Sequence, residues 1–167
     1  MKVTLYYKYL MHDIDQWTYR LANVRIENPD LKSSAQSSSV ATDVSFYRRK
    51  IEDGVAHLRM ILSDELVKTH EDADDILDLN KASWEFQFKE DTSVSADSTA
   101  CAEKMHRFVL MHVIRDWAGV YAPDAASMAE SNLEDAKNAL DEGLYALELP
   151  IKHRRPIFTE ITEVSID

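Results

Sequence analysis

Residues 43–66, DVSFYRRKIEDGVAHLRMILSDEL, contain the pattern that decides the fold class. Apolar residues recur there at intervals of three or four, which is the spacing of one face of an α-helix. Thr42 or Asp43 can cap the first turn, and most of the charged residues lie off the apolar face. We therefore predict a helix over residues 43–68. Its apolar face consists of Val44, Tyr47, Ile51, Val55, Leu58, Leu62 and Leu66.

Three further helices are predicted around this one, over about residues 10–25, 98–121 and 124–147. The whole chain has three glycines and four prolines in 167 residues, too few for the many turns of an all-β fold. We predict a mainly α fold: a three- to four-helix bundle with a small β element and an extended C-terminal arm. The face of the first of these helices consists of Leu10, Ile14, Trp17, Leu21 and Val24. Most tyrosines and tryptophans lie on such apolar faces, so we expect them in the core.

The small β element is predicted from residues 83–89, SWEFQFK, which alternate strictly between apolar and polar. A single strand is not stable by itself and needs a partner. Three partners are open: residues 2–7, which also alternate, residues 159–166, or another subunit. The predicted buried face of the strand consists of Trp84, Phe86 and Phe88.

Composition divides the chain into a body and a tail. A length of 167 residues is typical of one domain. Residues 27–41, ENPDLKSSAQSSSVA, contain five serines and few apolar residues, and we predict a mobile loop there. Two prolines exclude a helix soon after residue 149. We therefore predict a helical domain over 1–148 and an extended C-terminal arm over 149–167.

The charge balance excludes several classes of function. The formal net charge is −11, whereas a general nucleic-acid binder needs a basic surface. No apolar run approaches the roughly 18 residues that a membrane helix needs, so no membrane partner is expected. The single cysteine excludes an internal disulfide framework.

No residue pattern in the chain points to catalysis, a cofactor or a metal ion. Glu103 and His106 have the spacing of one half of a di-iron carboxylate site, but the second such pair is missing. Cys101 lies in a predicted first helical turn, which would lower the pKa of its thiol, yet nothing near it in sequence suits a thiol enzyme. The glycine-rich phosphate-binding motifs are absent. We expect the protein not to be an enzyme.

The basic segment 149–158, LPIKHRRPIF, is the most unusual local feature. It follows an acidic body, and it suits docking on an acidic surface of a neighbouring copy, because each subunit would then carry both halves of the contact. The segment around 64–78 is acidic and is the predicted acceptor. The predicted arm contacts are Pro150, Lys152, Arg154, Arg155 and Pro156, and the predicted acceptor residues are Asp72, Asp74 and Asp75.

Several stretches together resemble structural proteins of tailed phages that infect Bacteroidetes, including crAss-like phages. These stretches are the opening LYYKYLMHDID, the helix YRRKIEDGVAHLRMILSDEL, the strand WEFQF, the helix MHRFVLMHVIRDW, an alanine-rich helix, and a terminal RRPIF. The chain is similar in particular to the head–tail connectors, the adaptor or ring proteins that sit beneath the portal.

The resemblance implies a non-enzymatic virion protein, made in the bacterial host cytoplasm and located at the head–tail junction. It implies a homo-oligomeric ring of twelve that contacts the portal and neighbouring tail or ring proteins, through which DNA passes without sequence-specific binding. No cofactor is implied. Two alternatives remain open from the sequence: a monomeric or dimeric helical adaptor or regulatory binding module, and a tail-completion protein.

Overall fold

A computed structural model describes residues 1–35, 43–67, 82–92, 94 and 96–145. The chain is mainly helical, with a small two-stranded antiparallel sheet, which confirms the predicted fold class. The elements are β1 (Lys2–Tyr6), α1 (Tyr7–Arg25), α2 (Pro29–Ala35), α3 (Asp43–Ile61), β2 (Ser83–Gln87), α4 (Ser98–Tyr121), a 3₁₀ turn (Pro123–Ala125) and α5 (Ala126–Tyr145).

Helix α4 is the centre of the fold because α1, α3, α5 and β1 all pack against it. Asp97 caps its first turn, since the carboxylate accepts hydrogen bonds from the backbone N–H groups of Thr99 and Ala100. Every residue from Phe108 to Ile114 is buried, so α4 is covered on all sides there, and His112 is the only polar residue of this stretch. A helix of this kind lies inside a bundle rather than on its surface.

The sheet covers one side of α4. Strand β1 pairs with β2 in antiparallel register, with Val3 opposite Phe86 and Leu5 opposite Trp84. Trp84, Phe86 and Phe88 are all buried, which confirms the predicted strand face. Of the three partners left open by the sequence, the structure has the N-terminal one.

Helix α3 is shorter than predicted. It ends at Ile61, and residues 62–65 form turns. Leu66 then forms an isolated antiparallel bridge with Phe88, and the Val67 N–H donates to the carbonyl of Gln87. The prediction of helix over 62–67 is therefore wrong, because residues 62–65 turn the chain and residues 66–67 pair with the backbone of Gln87 and Phe88. Residue 68 lies outside the described residues.

Helix α1 begins earlier than predicted, and its buried face departs from the predicted one at Val24, whereas Trp17 and Leu21 pack against the core as predicted. It starts at Tyr7, directly after β1, and buries Leu10, Ile14, Thr18 and Ala22. Val24 is 76% exposed, so its assignment to the buried face is wrong. The buried residues follow one another at intervals of four, which keeps one side of α1 against α4. Val24, three residues after Leu21, lies on the solvent side.

Residues 29–35 form helix α2, so the prediction of a loop over 27–41 is wrong for that span. Pro29 and Asp30 suit the first turn of a helix, where proline needs no partner for a missing N–H and the carboxylate meets the positive end of the dipole. The buried Ala35 ends the helix. Residues 36–41 lie outside the described residues.

The predicted interface residues also lie outside the described residues. They are the acidic acceptor Asp72, Asp74 and Asp75, and the arm residues Pro150, Lys152, Arg154, Arg155 and Pro156. The boundary predicted at residue 149 lies there too. All of these stay predictions.

Candidate functional site

A groove on the outside of the bundle has an unusual exposed aromatic lining. It lies between the β1–α1 junction and the first half of α4, and its volume is about 390 Å³. Tyr6 and Tyr9 stand on one wall, 47% and 54% exposed. We call it the tyrosine groove; its lining includes Thr4, Tyr6, Tyr9, Ala102, Glu103 and His106.

The two tyrosine rings meet edge to face, with centroids 5.8 Å apart and planes at 85°. The rings are held this way because β1 passes into α1 without a loop: Tyr6 is the last strand residue, and Tyr9 lies in the first turn of the helix. The Lys8 ammonium lies 4.7 Å from the centroid of Tyr9 and 6.0 Å from that of Tyr6. The ring faces thus already attract a cation.

The opposite wall carries one carboxylate, that of the exposed Glu103, and the imidazole of His106. The Nε2 atom of His106 lies 2.8 Å from a carboxylate oxygen of Asp13, a contact that joins α4 to α1. Aromatic faces on one side and a carboxylate on the other suit a ligand that is both cationic and apolar.

Glu103 and His106, whose spacing matches one half of a di-iron site, both line this wall of the groove. Among the described residues, no cluster of three His, Cys, Asp or Glu side chains could hold a metal ion. Cys101 is fully buried, and burial together with the nearby Asp97 charge raises the pKa of its thiol. The expectation of a lowered pKa at this helix start is therefore wrong: desolvation outweighs the dipole.

A second groove, of about 440 Å³, lies at the other end of α4. The charged side chains of this groove form ion pairs with one another. Asp116 accepts from Arg115 at 2.6 Å and from Lys50 at 2.9 Å. Burial alone would raise the pKa of Asp116, but the hydrogen bonds and charges of Lys50 and Arg115 outweigh it and lower that pKa. This groove therefore offers an anion little uncompensated positive charge.

His112 is the one strongly buried histidine of the described residues, 5% exposed on the face of α4 that meets α3. Its Nδ1 atom makes no hydrogen bond to any described residue. Burial and the neighbouring Arg115 and His57 lower the pKa of the imidazole against the opposing charges of Asp116 and Asp53. Protonation of His112 is therefore disfavoured at the α3–α4 contact.

The exposed tyrosines are the part of the site that the sequence did not reveal. The alternating residues Val3, Leu5, Tyr7 and Tyr9 suggest one strand in which all four side chains lie on the same face. The change to helix at Tyr7 breaks that phase and leaves Tyr9 outside. Tyr19 is also exposed, 57%, so the expectation that the aromatic residues lie mostly in the core is wrong at these positions.

No family model matches the chain, and no curated protein or solved structure is significantly similar to it. None of the helices formed by the described residues combines the length and hydrophobicity needed to cross a bilayer.

Proposed function

We propose that this protein is a non-enzymatic virion structural protein, a ring-forming head–tail connector beneath the portal. In this role it joins the capsid to the tail and lines the DNA channel as a ring of twelve copies. Residues 149–167 act as an arm that holds neighbouring copies together. An acidic body suits a channel wall, because it does not adhere to the phosphates of passing DNA.

The place where the chain leaves the fold is the observation that carries the proposal. Gly143, near the end of α5, packs so closely on Lys104 that an added Cβ would lie 3.1 Å from two carbons of that side chain. Burial raises the pKa of the Tyr145 hydroxyl, and the charges of Glu65, Asp141 and Asp64 raise it further. Tyr145 is the last described residue of α5, and in the proposed ring the residues that follow it form the tail that reaches another molecule.

The charge of segment 149–158 is the second support. Lys152, Arg154 and Arg155 lie together there without an acidic residue, in a chain whose formal net charge is −11. Opposite charges at two places on one chain favour head-to-tail contacts between copies, and such contacts close into rings. The resemblance to phage connectors points to the same kind of assembly.

The native mass of the full-length protein tests this proposal. We expect a ring-sized species, seen by light scattering and electron microscopy, either alone or after mixing with the portal protein of the same phage. A variant with Lys152→Gln, Arg154→Gln and Arg155→Gln should lose the ring and remain folded. Lys137→Gln on the exposed side of α5 is the matched control and should keep the ring.

A species of one or two copies, with or without the portal, would overturn the connector proposal. It would favour the alternative of a small helical binding module. Binding of a ring to tail tubes in preference to portals would favour the tail-completion alternative.

A further inference from the structure

The chain contains a segment whose chemistry matches that of the tyrosine groove. We propose that the groove is the docking site for residues 150–158 of a neighbouring copy. This inference rests on the proposed function and names the receptor for its arm. It places the contact at β1, α1 and α4, in addition to the acidic acceptor predicted from sequence.

The chemistry of the segment fits the groove on three counts. Its sequence, PIKHRRPIF, combines two prolines with three cationic side chains. Proline-rich extended segments bind grooves lined with exposed aromatic rings, because little conformational entropy is lost. Guanidinium groups stack on tyrosine faces and pair with carboxylates. Tyr6 and Tyr9 supply the faces, and Glu103 supplies a carboxylate at the opposite wall.

The position of Lys8 shows that the rings can hold a cation in this orientation. Its ammonium lies over both rings while it remains exposed to solvent. An arginine plane is larger and less strongly hydrated than an ammonium group, so it stacks better on an aromatic ring. Arg154 or Arg155 of a neighbour would replace Lys8 on the ring faces.

The geometry of the chain exit favours a neighbouring copy over the same chain. Helix α5 packs on the side of α4 that carries Lys104, whereas the groove lies on the side that carries His106. Two residues along a helix are separated by about 200° around its axis, so these sides are nearly opposite. Helix α5 therefore ends on the side of α4 that faces away from its own groove. In an extended conformation residues 146–158 would span up to about 40 Å.

Disulfide trapping between co-expressed full-length copies tests the proposal. Both copies carry Cys101→Ala. One copy has Ala102→Cys in the groove, and the other has His153→Cys and a different tag. We expect at least about tenfold more cross-linked heterodimer than with Ala56→Cys, an exposed control on α3, because docking holds the thiols at a millimolar effective concentration.

Two further variants test the chemistry of the groove. Tyr9→Leu should lower the yield of cross-link, and Tyr19→Leu, an equally exposed tyrosine on the same helix, should leave it unchanged. Glu103→Gln should lower it by about two- to fivefold, the effect of losing one exposed ion pair. Glu134→Gln on α5 is the charge-matched control.

Different failures point to different errors. A heterodimer with Asp74→Cys but not with Ala102→Cys would overturn the groove assignment while leaving the arm and the ring in place. A disulfide within one chain carrying both Ala102→Cys and His153→Cys, with no heterodimer, would show that the segment docks on its own fold and would overturn the neighbour contact. A ring that forms with no cross-link at either site would overturn the groove proposal alone. Absence of any ring would overturn the proposed function.

Discussion

The indole Nε1 of Trp117 donates a 2.7 Å hydrogen bond to the backbone carbonyl of Ala35, a residue 82 positions earlier in the chain. Both residues are fully buried. The bond attaches the end of the short helix α2 to the central helix α4. A helix of seven residues has little stability of its own, so its packing on α4 is what holds it.

Trp117→Phe should therefore destabilise the protein and loosen α2 first. The carbonyl of Ala35 would keep only a weak 3.5 Å contact from the Tyr47 hydroxyl. A buried acceptor that loses its partner costs about 1–3 kcal/mol. Urea unfolding measures the total effect, and hydrogen exchange of the α2 amides measures the local one. Trp17→Phe on α1 is the control. Equal exchange at α2 in both variants would contradict this role for the bond.

The stability of the fold should fall as the pH drops below about 6.5, because of His112. Burial lowers its pKa from the usual 6.5, so the unfolded chain takes up a proton at a higher pH than the folded chain. Folding stability therefore rises with pH over the interval between the two pKa values and is lost towards acid. Midpoints of urea unfolding between pH 5 and 8 measure this slope.

The variant His112→Leu should flatten that pH dependence, even if it changes stability at neutral pH. His12→Gln, at an exposed position on α1, should keep the slope of the parent protein. A slope that persists in His112→Leu would assign the acid sensitivity to another group.

Asp116→Asn should cost more than Asp53→Asn, although both carboxylates contact Lys50. The Asp116 side chain is 18% exposed and also accepts a hydrogen bond from Arg115. The Asp53 side chain is 60% exposed, and its carboxylate lies 3.6 Å from the Lys50 ammonium. We expect a loss of about 1–2 kcal/mol at Asp116 and only a few tenths at Asp53. Because the pKa of Asp116 is lowered in the fold, its contribution should be complete near neutral pH and disappear as the pH falls through that pKa. Equal losses in thermal unfolding would argue against the Lys50–Asp116 contact.

The glycines of α3 and α4 should respond in opposite directions to added side chains. An added Cβ at Gly54 would lie 3.3 Å from the Val109 Cγ1 atom, so Gly54→Val should crowd the α3–α4 contact and cost about 1–3 kcal/mol. A Cβ at Gly119 would contact nothing within 4 Å. Gly119→Ala should stabilise the protein by about 0.5–1 kcal/mol, since alanine has the higher helix propensity. Calorimetry measures the change in stability of both variants. Stabilisation by Gly54→Val would disprove the close packing.

Short-period patterns in the sequence predicted the four long helices and the strand β2. The apolar face of α3 and the strict alternation of residues 83–87 depend on helix and strand geometry alone, and both are found where the pattern predicts them. The mainly α class follows from the same patterns and from the scarcity of glycine. These features could be predicted because each depends on neighbours close in the chain.

Tertiary contacts alone decided where the elements stop and what the surface presents. Leu66 fits the helical stripe, yet it pairs with Phe88 because β2 offers backbone partners at that place. Residues 29–35 form a helix because Trp117 and Tyr47 hold Ala35 in the core. The exposure of Tyr6 and Tyr9 depends on the position of α4 beside the β1–α1 junction. The apolar periodicity of the sequence does not predict that position. Such contacts join residues distant in sequence, so they exist only once the chain has folded.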